Sequence, residues 1–269
     1  KKADEYAEFW DNFGAVLKEG LYENFENRDK ILPLCRFKTT AGDELISLDT
    51  YVERMKDGQE AIFTISGGDS ELLAKSPQLE GFKARRVEVL LLTDPIDEFW
   101  VPALGDYRDK PFKSVTRGGA DLDKIAAAED GKQKDQNKEK EETPELALLI
   151  AAFKTALGEA VKDVTASERL TDSPVCLVAG EGDMDMHLER MLKQHHQLGV
   201  QMASARVLEL NPKHPLIKRL AELAKDGGDG LDDAAHLLLD QARIAEGEPL
   251  ADPANFSRRL SLMMEKGLA

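Results

Sequence analysis

Apolar residues along this chain change period several times, and each change marks a new element. Tyr6, Phe9, Trp10, Phe13, Val16 and Leu17 recur at three- and four-residue spacing, which predicts an amphipathic helix beginning almost at the first residue, as in a chain that starts inside a longer protein. A second helix is expected over residues 27–34. Ser47 then opens a third by offering its hydroxyl to the free amides of a first turn, with Leu48, Tyr51, Val52 and Met55 on one face and Gly58 beyond its end. The period drops to that of a buried strand in Glu60-Ala-Ile-Phe-Thr-Ile, which stops at Gly67-Gly68 with Asp69 or Ser70 placed to cap the next helix. A helix over 76–86, a continuous apolar strand at Val87–Leu92, a break at Asp94-Pro95 and a helix over Ile96–Leu104 complete a strand and helix alternation ending near Val115.

From Gly118 to Thr143 the pattern vanishes. The run from Gly131 to Glu142 holds no apolar residue, so it cannot bury a face and reads as a solvated helix or a connector. Periodicity resumes at Pro144, with Leu146, Leu149, Ile150, Phe153 and Leu157 on one side of a helix, followed by short strands at Val161–Ala166, Val175–Ala179 and Ala205–Leu210 and three closing helices. The expected fold class is therefore α/β plus α+β: a small layered α/β domain over 1–117, a charged linker over 118–143, and a mixed domain with a small sheet and a helical bundle over 144–269.

Composition narrows the functions on offer. With 51 acidic against 36 basic residues and a net charge of -15, the chain is poorly suited to a phosphate backbone or an anionic lipid surface. No apolar run approaches the roughly 20 residues that span a bilayer, and a soluble, cytoplasmic chain is expected. Cys35 and Cys176 both sit beside apolar residues, as buried reduced thiols do. There is no phosphate-cradling glycine loop, no H-E-x-x-H and no C-x-x-C. His187, His195 and His196 lack a nearby Cys to complete a metal set, and Asp183 or Glu189 would add only a weak ligand, so no metal is expected. Ser173 and His214, beside prolines, offer no catalytic pairing.

Three segments carry apolar surface that asks for a partner. In the closing helices, Leu231, Ala234, Ala235, Leu238, Ala242 and Ala245 form one stripe, widened by Leu237 and Leu239. Phe256, Leu260, Met263 and Met264 form another behind an Asp252-Pro253 helix start. These faces exceed what a three-stranded domain can cover. A four-helix contact with a second copy through Leu231, Ala235, Leu238, Ala242, Phe256, Leu260, Met263 and Met264 is the expectation, against the plainer reading that both helices cover their own domain. In the second segment, Met184, Leu188, Met191 and Leu192 share a helical face that is either core or an adaptable partner surface. Third, Ile96-Asp-Glu-Phe-Trp-Val sets Asp97 and Glu98 beside Phe99 and Trp100, where the carboxylates either meet a ligand or stabilise a helix start.

The string Ser47–Gly68, with Leu34-Cys-Arg-Phe-Lys-Thr-Thr before it and Val87-Glu-Val-Leu-Leu-Leu-Thr-Asp-Pro-Ile-Asp-Glu after it, closely resembles the later middle segment of the 90-kDa heat-shock protein chaperones in a bacterial version. Leu237–Glu246 followed by Leu250-Ala-Asp-Pro is similar to that family's C-terminal dimerisation helices. The resemblance implies a homodimer that holds unfolded or partly folded client proteins. Met184, Leu188, Met191 and Leu192 would be exposed to clients, and Glu98 with Phe99 or Trp100 would face the same cleft. It implies a nucleotide site, with ATP and Mg, only in an N-terminal domain preceding Lys1, so no cofactor and no enzymatic activity are expected of this chain by itself. The ending Gly267-Leu268-Ala269 lacks the acidic tag of eukaryotic cytosolic members. A dimeric scaffold that holds no client, or a small-molecule enzyme using Asp97 and Glu98, are the competing readings.

Overall fold

The computed structural model describes residues 3–118, 122, 125, 143–180, 182–194, 204–228 and 230–268. They form two compact units, one of Lys1–Lys75 with Phe82–Ala128 and one of Ser76–Gly81 with Glu129–Ala269. Most of the expected linker lies outside the described residues. Helices and strands have mixed α/β content in the first unit and α+β content in the second, as the periodicity predicts.

The first unit opens with α1 (Ala3–Glu23) and a short α2 (Arg28–Ile31) that gives way to a tight 3-10 turn at Leu32–Leu34. The helix expected over 27–34 is thus broken, because Pro33 cannot donate to a continuing α ladder. Strands β1 (Phe37–Thr39) and β2 (Gly42–Ile46) form a hairpin, followed by α3 (Leu48–Glu53), β3 (Ile62–Ser66) and α4 (Ser70–Leu73). The caps fall where the sequence placed them: Ser47 Oγ accepts from Thr50 N at 3.1 Å, and Asp69 Oδ1 accepts from Glu71 N at 2.7 Å. The helix expected over 76–86 is instead a 3-10 turn at Pro77–Leu79 running into α5 (Glu80–Ala84). Next come β4 (Leu90–Leu92), α6 (Asp97–Leu104), β5 (Asp106–Tyr107) and β6 (Lys110–Ser114). The six strands are ordered β2-β1-β4-β3-β6-β5, with β4, β3 and β6 parallel at the centre and antiparallel partners outside. Central strands buried on both faces explain why Ile62–Ile65, with Thr64 as its one polar residue, and Leu90–Leu92 read as near-continuous apolar runs.

In the second unit, α7 (Pro144–Leu157) precedes β7 (Asp163–Ala166), β8 (Val175–Val178), α8 (Met186–Gln194), β9 (Val207–Leu210), α9 (Pro215–Lys225), α10 (Leu231–Ala245) and α11 (Pro253–Leu268). The sheet runs β7-β9-β8, parallel then antiparallel. Its core joins Leu149 and Phe153 of α7, Leu208 of β9, Ile217 of α9 and Ala235 and Leu238 of α10. Ser76–Gly81 belongs here through Glu80, whose carboxylate accepts from the amides of Thr171, Asp172 and Ser173 and from the Ser173 hydroxyl. Burial alone would raise that carboxyl's pKa, but the Ser173 hydroxyl and the three amides outweigh it and hold it below the ordinary range. No described helix is long and apolar enough to cross a membrane.

Candidate interaction surfaces

At the start of α6 the two aromatic neighbours have opposite fates. Trp100 is fully buried, stacking edge-on to Phe112, with its Nε1 donating to Asp97 Oδ1 at 2.6 Å. Phe99, one residue earlier and so about 100° around the helix, is 39 % exposed and faces the ring of Tyr22 at 5.9 Å. Of the two rings left open by the sequence, Trp100 is therefore the inward one, and Glu98 is buried as well. Asp97 is buried and committed: Lys18 Nζ donates to Asp97 Oδ2 at 3.0 Å and to Asp94 Oδ2 at 2.8 Å, while lying over the Phe37 ring at 4.9 Å. Burial would favour a neutral Lys18, yet the two carboxylates outweigh it and raise its pKa. This ion group pins α1 to α6. Asp97 thus has a structural task.

The second surface is α8. Its inner side carries Met186, buried in the core, and Glu189, also buried, whose Oε2 accepts from Arg206 Nη2 at 2.6 Å while Lys193 Nζ lies 2.6 Å from Oε1. A carboxylate occupying the inward position of so short a helix leaves Met186 as its single core anchor. Leu188, Met191 and Leu192 are half-buried on another side and are absent from the apolar cluster that holds the unit together. Met184 is half-buried too, but it precedes the helix; Asp185, not Met184, forms the turn that starts α8, with Oδ1 accepting from His187 N at 2.9 Å. His195 and His196 lie outside the described residues.

The closing helices divide the expected interface. Ala235, Leu238 and Ala242 of α10 are buried in the unit's own core, and Leu231 packs half-buried against it. The correction has a simple cause: α7 and β8 lie along that stripe and cover it. In contrast, α11 buries no residue fully. Met263 leans on the core and Phe256 is half-buried, but Leu260 is 41 % and Met264 58 % exposed. Arg259 Nε bonds Asp233 Oδ1 at 2.9 Å and fixes α11 against α10. Ile244 on α10 is 51 % exposed and Leu262 on α11 is 41 % exposed, though neither was expected at an open surface. Ile244 lies seven residues beyond Leu237, two turns along the same side, which is the signal that could have found it.

Between α10 and α11, Glu246 is half-buried, with a carboxyl oxygen enclosed and without a hydrogen-bond partner. Burial raises its pKa to about 7, against the opposing pull of Arg190 and Arg206 and with the help of Glu248 and Asp185. Both thiols are buried; burial pushes Cys35 up to about 12 and Cys176 well above its usual value, so neither is a ready nucleophile. Among the described residues no group of three or more His, Cys, Asp and Glu is placed to hold a metal ion.

An α/β unit is followed by an α+β unit, and each leaves apolar side chains outside its core. The chain belongs to the Hsp90 family: the family model described as Hsp90 protein matches residues 1–269. It is 60 % identical over 268 residues to chaperone protein HtpG of Paramagnetospirillum magneticum, covering 98 % of this chain and 42 % of that one. Chaperone protein HtpG of Roseobacter denitrificans is 55 % identical across 100 % of this chain and 43 % of its own length, and that of Rhodospirillum rubrum is 56 % identical across 98 % and 42 %. The chain thus spans about two fifths of the length of these curated relatives.

Proposed function

We propose that this chain is the dimerising, client-holding part of a bacterial chaperone. The observation that carries it is α8, a helix whose apolar positions Leu188, Met191 and Leu192 are left out of the core that takes Met186. Apolar surface left in this state is relieved by an apolar partner, and the thioether and branched chains adapt to partners of different shape. Phe99, with Tyr22 beside it, adds a second contact for an unfolded segment. Pairing of two copies through α11, with Phe256, Leu260, Met263 and Met264 meeting their symmetry mates, doubles the number of such contacts and so strengthens binding through effective concentration. Nucleotide chemistry, with ATP and Mg, belongs to a separate domain of the longer protein, and the work of this part is mechanical. The likeness to relatives named chaperone protein HtpG supports the reading.

The test is suppression of aggregation of a denatured client by the wild-type chain and by Leu188→Ser with Met191→Ser. Holding activity should fall several-fold while the melting temperature moves by less than about 2 °C. A large drop in melting temperature would show that these side chains are core, and unchanged holding would show that clients bind elsewhere.

A further inference from the structure

The rotation of α8 runs against its own sequence pattern. Met186 and Glu189 are buried on the side turned to the body of the unit, with Lys193 one turn beyond them, while Leu188, Met191 and Leu192 are centred more than about 100° further round. The default for such a helix is the reverse, with the leucines inward and the charges in water, because apolar burial drives the choice. Cover is within reach. Beside Glu189 lies a cavity of about 320 Å³ whose walls include Leu177 and Leu239, two side chains of the unit's apolar core. A helix that turns a carboxylate toward such a floor is held there by a contact stronger than the pattern it violates.

That contact is made by Glu189. It is 1 % exposed, its Oε2 accepts from Arg206 Nη2 at 2.6 Å, and Lys193 Nζ lies 2.6 Å from its Oε1. Arg206, 7 % exposed, also donates from Nη1 to the Met184 carbonyl at 3.5 Å, at the entry to α8. Turning Glu189 out to water would strand the Arg206 charge in the interior, so the pair decides which face of α8 points in. We propose that Glu189 and Arg206 are the positioning residues of α8: their pair holds the helix in the rotation that keeps Leu188, Met191 and Leu192 out of the core and open to a client. This role rests on the reading of α8 as the client-holding helix and adds what sets its presentation. Without the pair, α8 rolls its apolar face onto Leu177 and Leu239 and closes that surface.

The test is read by the rate at which a maleimide labels a cysteine introduced by Met191→Cys; Cys35 and Cys176 are buried and contribute little. Arg206→Leu removes the guanidinium and supplies an apolar neighbour, so Glu189 turns to water, Leu188 and Leu192 turn in, and labelling slows about fivefold or more while melting stays cooperative. Adding Glu189→Leu makes the original inner side apolar, so α8 returns to its wild-type rotation and labelling recovers to within about twofold. Suppression of client aggregation, measured with Met191 in place, should fall several-fold with Arg206→Leu and recover with the double substitution. A smaller slowing with Arg206→Leu overturns the role, as does a faster rate, which would show a tether rather than an orienting pair. A double variant that does not recover overturns it too. Should Arg206→Leu lose cooperative melting, Glu189→Lys, which sets like charges against each other, replaces it with the same expected slowing; loss of folding in both would make the pair structural and end the proposal. Labelling that slows and recovers without any change in holding keeps the positioning role and removes α8 as the client surface. Unchanged labelling beside lost holding in Leu188→Ser with Met191→Ser does the opposite.

Discussion

Helices α10 and α11 begin as the same kind of sequence and end as different kinds of surface. Both carry apolar residues at three- and four-residue spacing, yet α10 buries Ala234, Ala235, Leu238, Leu239 and Ala242 while α11 buries none. What separates them is supply. The small sheet and α7 take α9 and α10 into the core; α11 touches it through Met263 and is tied on by Arg259 to Asp233. An amphipathic stripe therefore states a demand for cover without saying whether the cover comes from the same chain.

The comparison can be broken at several points. Leu238→Ala, in the α10 core, should cost about 2–5 kcal/mol in a urea titration, since it removes buried methylenes and leaves a cavity. A loss below about 1 kcal/mol would mean that α10 is not the covered helix. Glu246→Gln, at the turn joining the two helices, should stabilise the chain by up to about 3 kcal/mol above pH 7 and by nothing near pH 4.5. The sign follows from a folded pKa raised from 4.5 to about 7: the native state binds more protons in that window, so wild-type stability falls as pH rises through it. Equal melting temperatures of wild type and variant at pH 8 would remove the enclosed carboxylate from the account. Asp252→Ala should cost about 1 kcal/mol, because Oδ1 accepts from Asn255 N at 3.0 Å at the start of α11. The smallest effect on unfolding is expected from Leu260→Ser with Met264→Ser, less than about 0.5 kcal/mol in a protomer at high dilution.

Much of the fold is legible in the chain because its signals are local. Ser47, Asp69, Thr143 and Asp252 cap helices at the positions their side chains suggest, and the strand at Ile62–Ser66 is bounded by the residues that announce it. The breaks inside residues 27–34 and 76–86 were also written there, in Pro33 and Pro77, but a run of periodic apolar residues masks them. The surfaces are less legible, because exposure depends on distant segments. Phe99 and Trp100 are adjacent and chemically alike; only the buried carboxylate of Asp97, held by Lys18 from 79 residues earlier, decides which ring turns inward. On α8, the inward Glu189 is offset by Arg206, just before β9, a pairing that no spacing within the helix reveals. Ile244 escaped notice because a single β-branched residue at a helix end looks like the tail of the core stripe rather than the start of another face.

The central claim is that the open face of α11 is covered by the same face of a second copy. Sedimentation velocity of the wild-type chain at micromolar concentration, beside Leu260→Ser with Met264→Ser, tests it most directly. The account predicts a particle of twice the 29.8 kDa chain for the wild type and a 29.8 kDa particle for the variant. A wild-type chain that sediments as a single 29.8 kDa species, or a variant that stays paired, would contradict it.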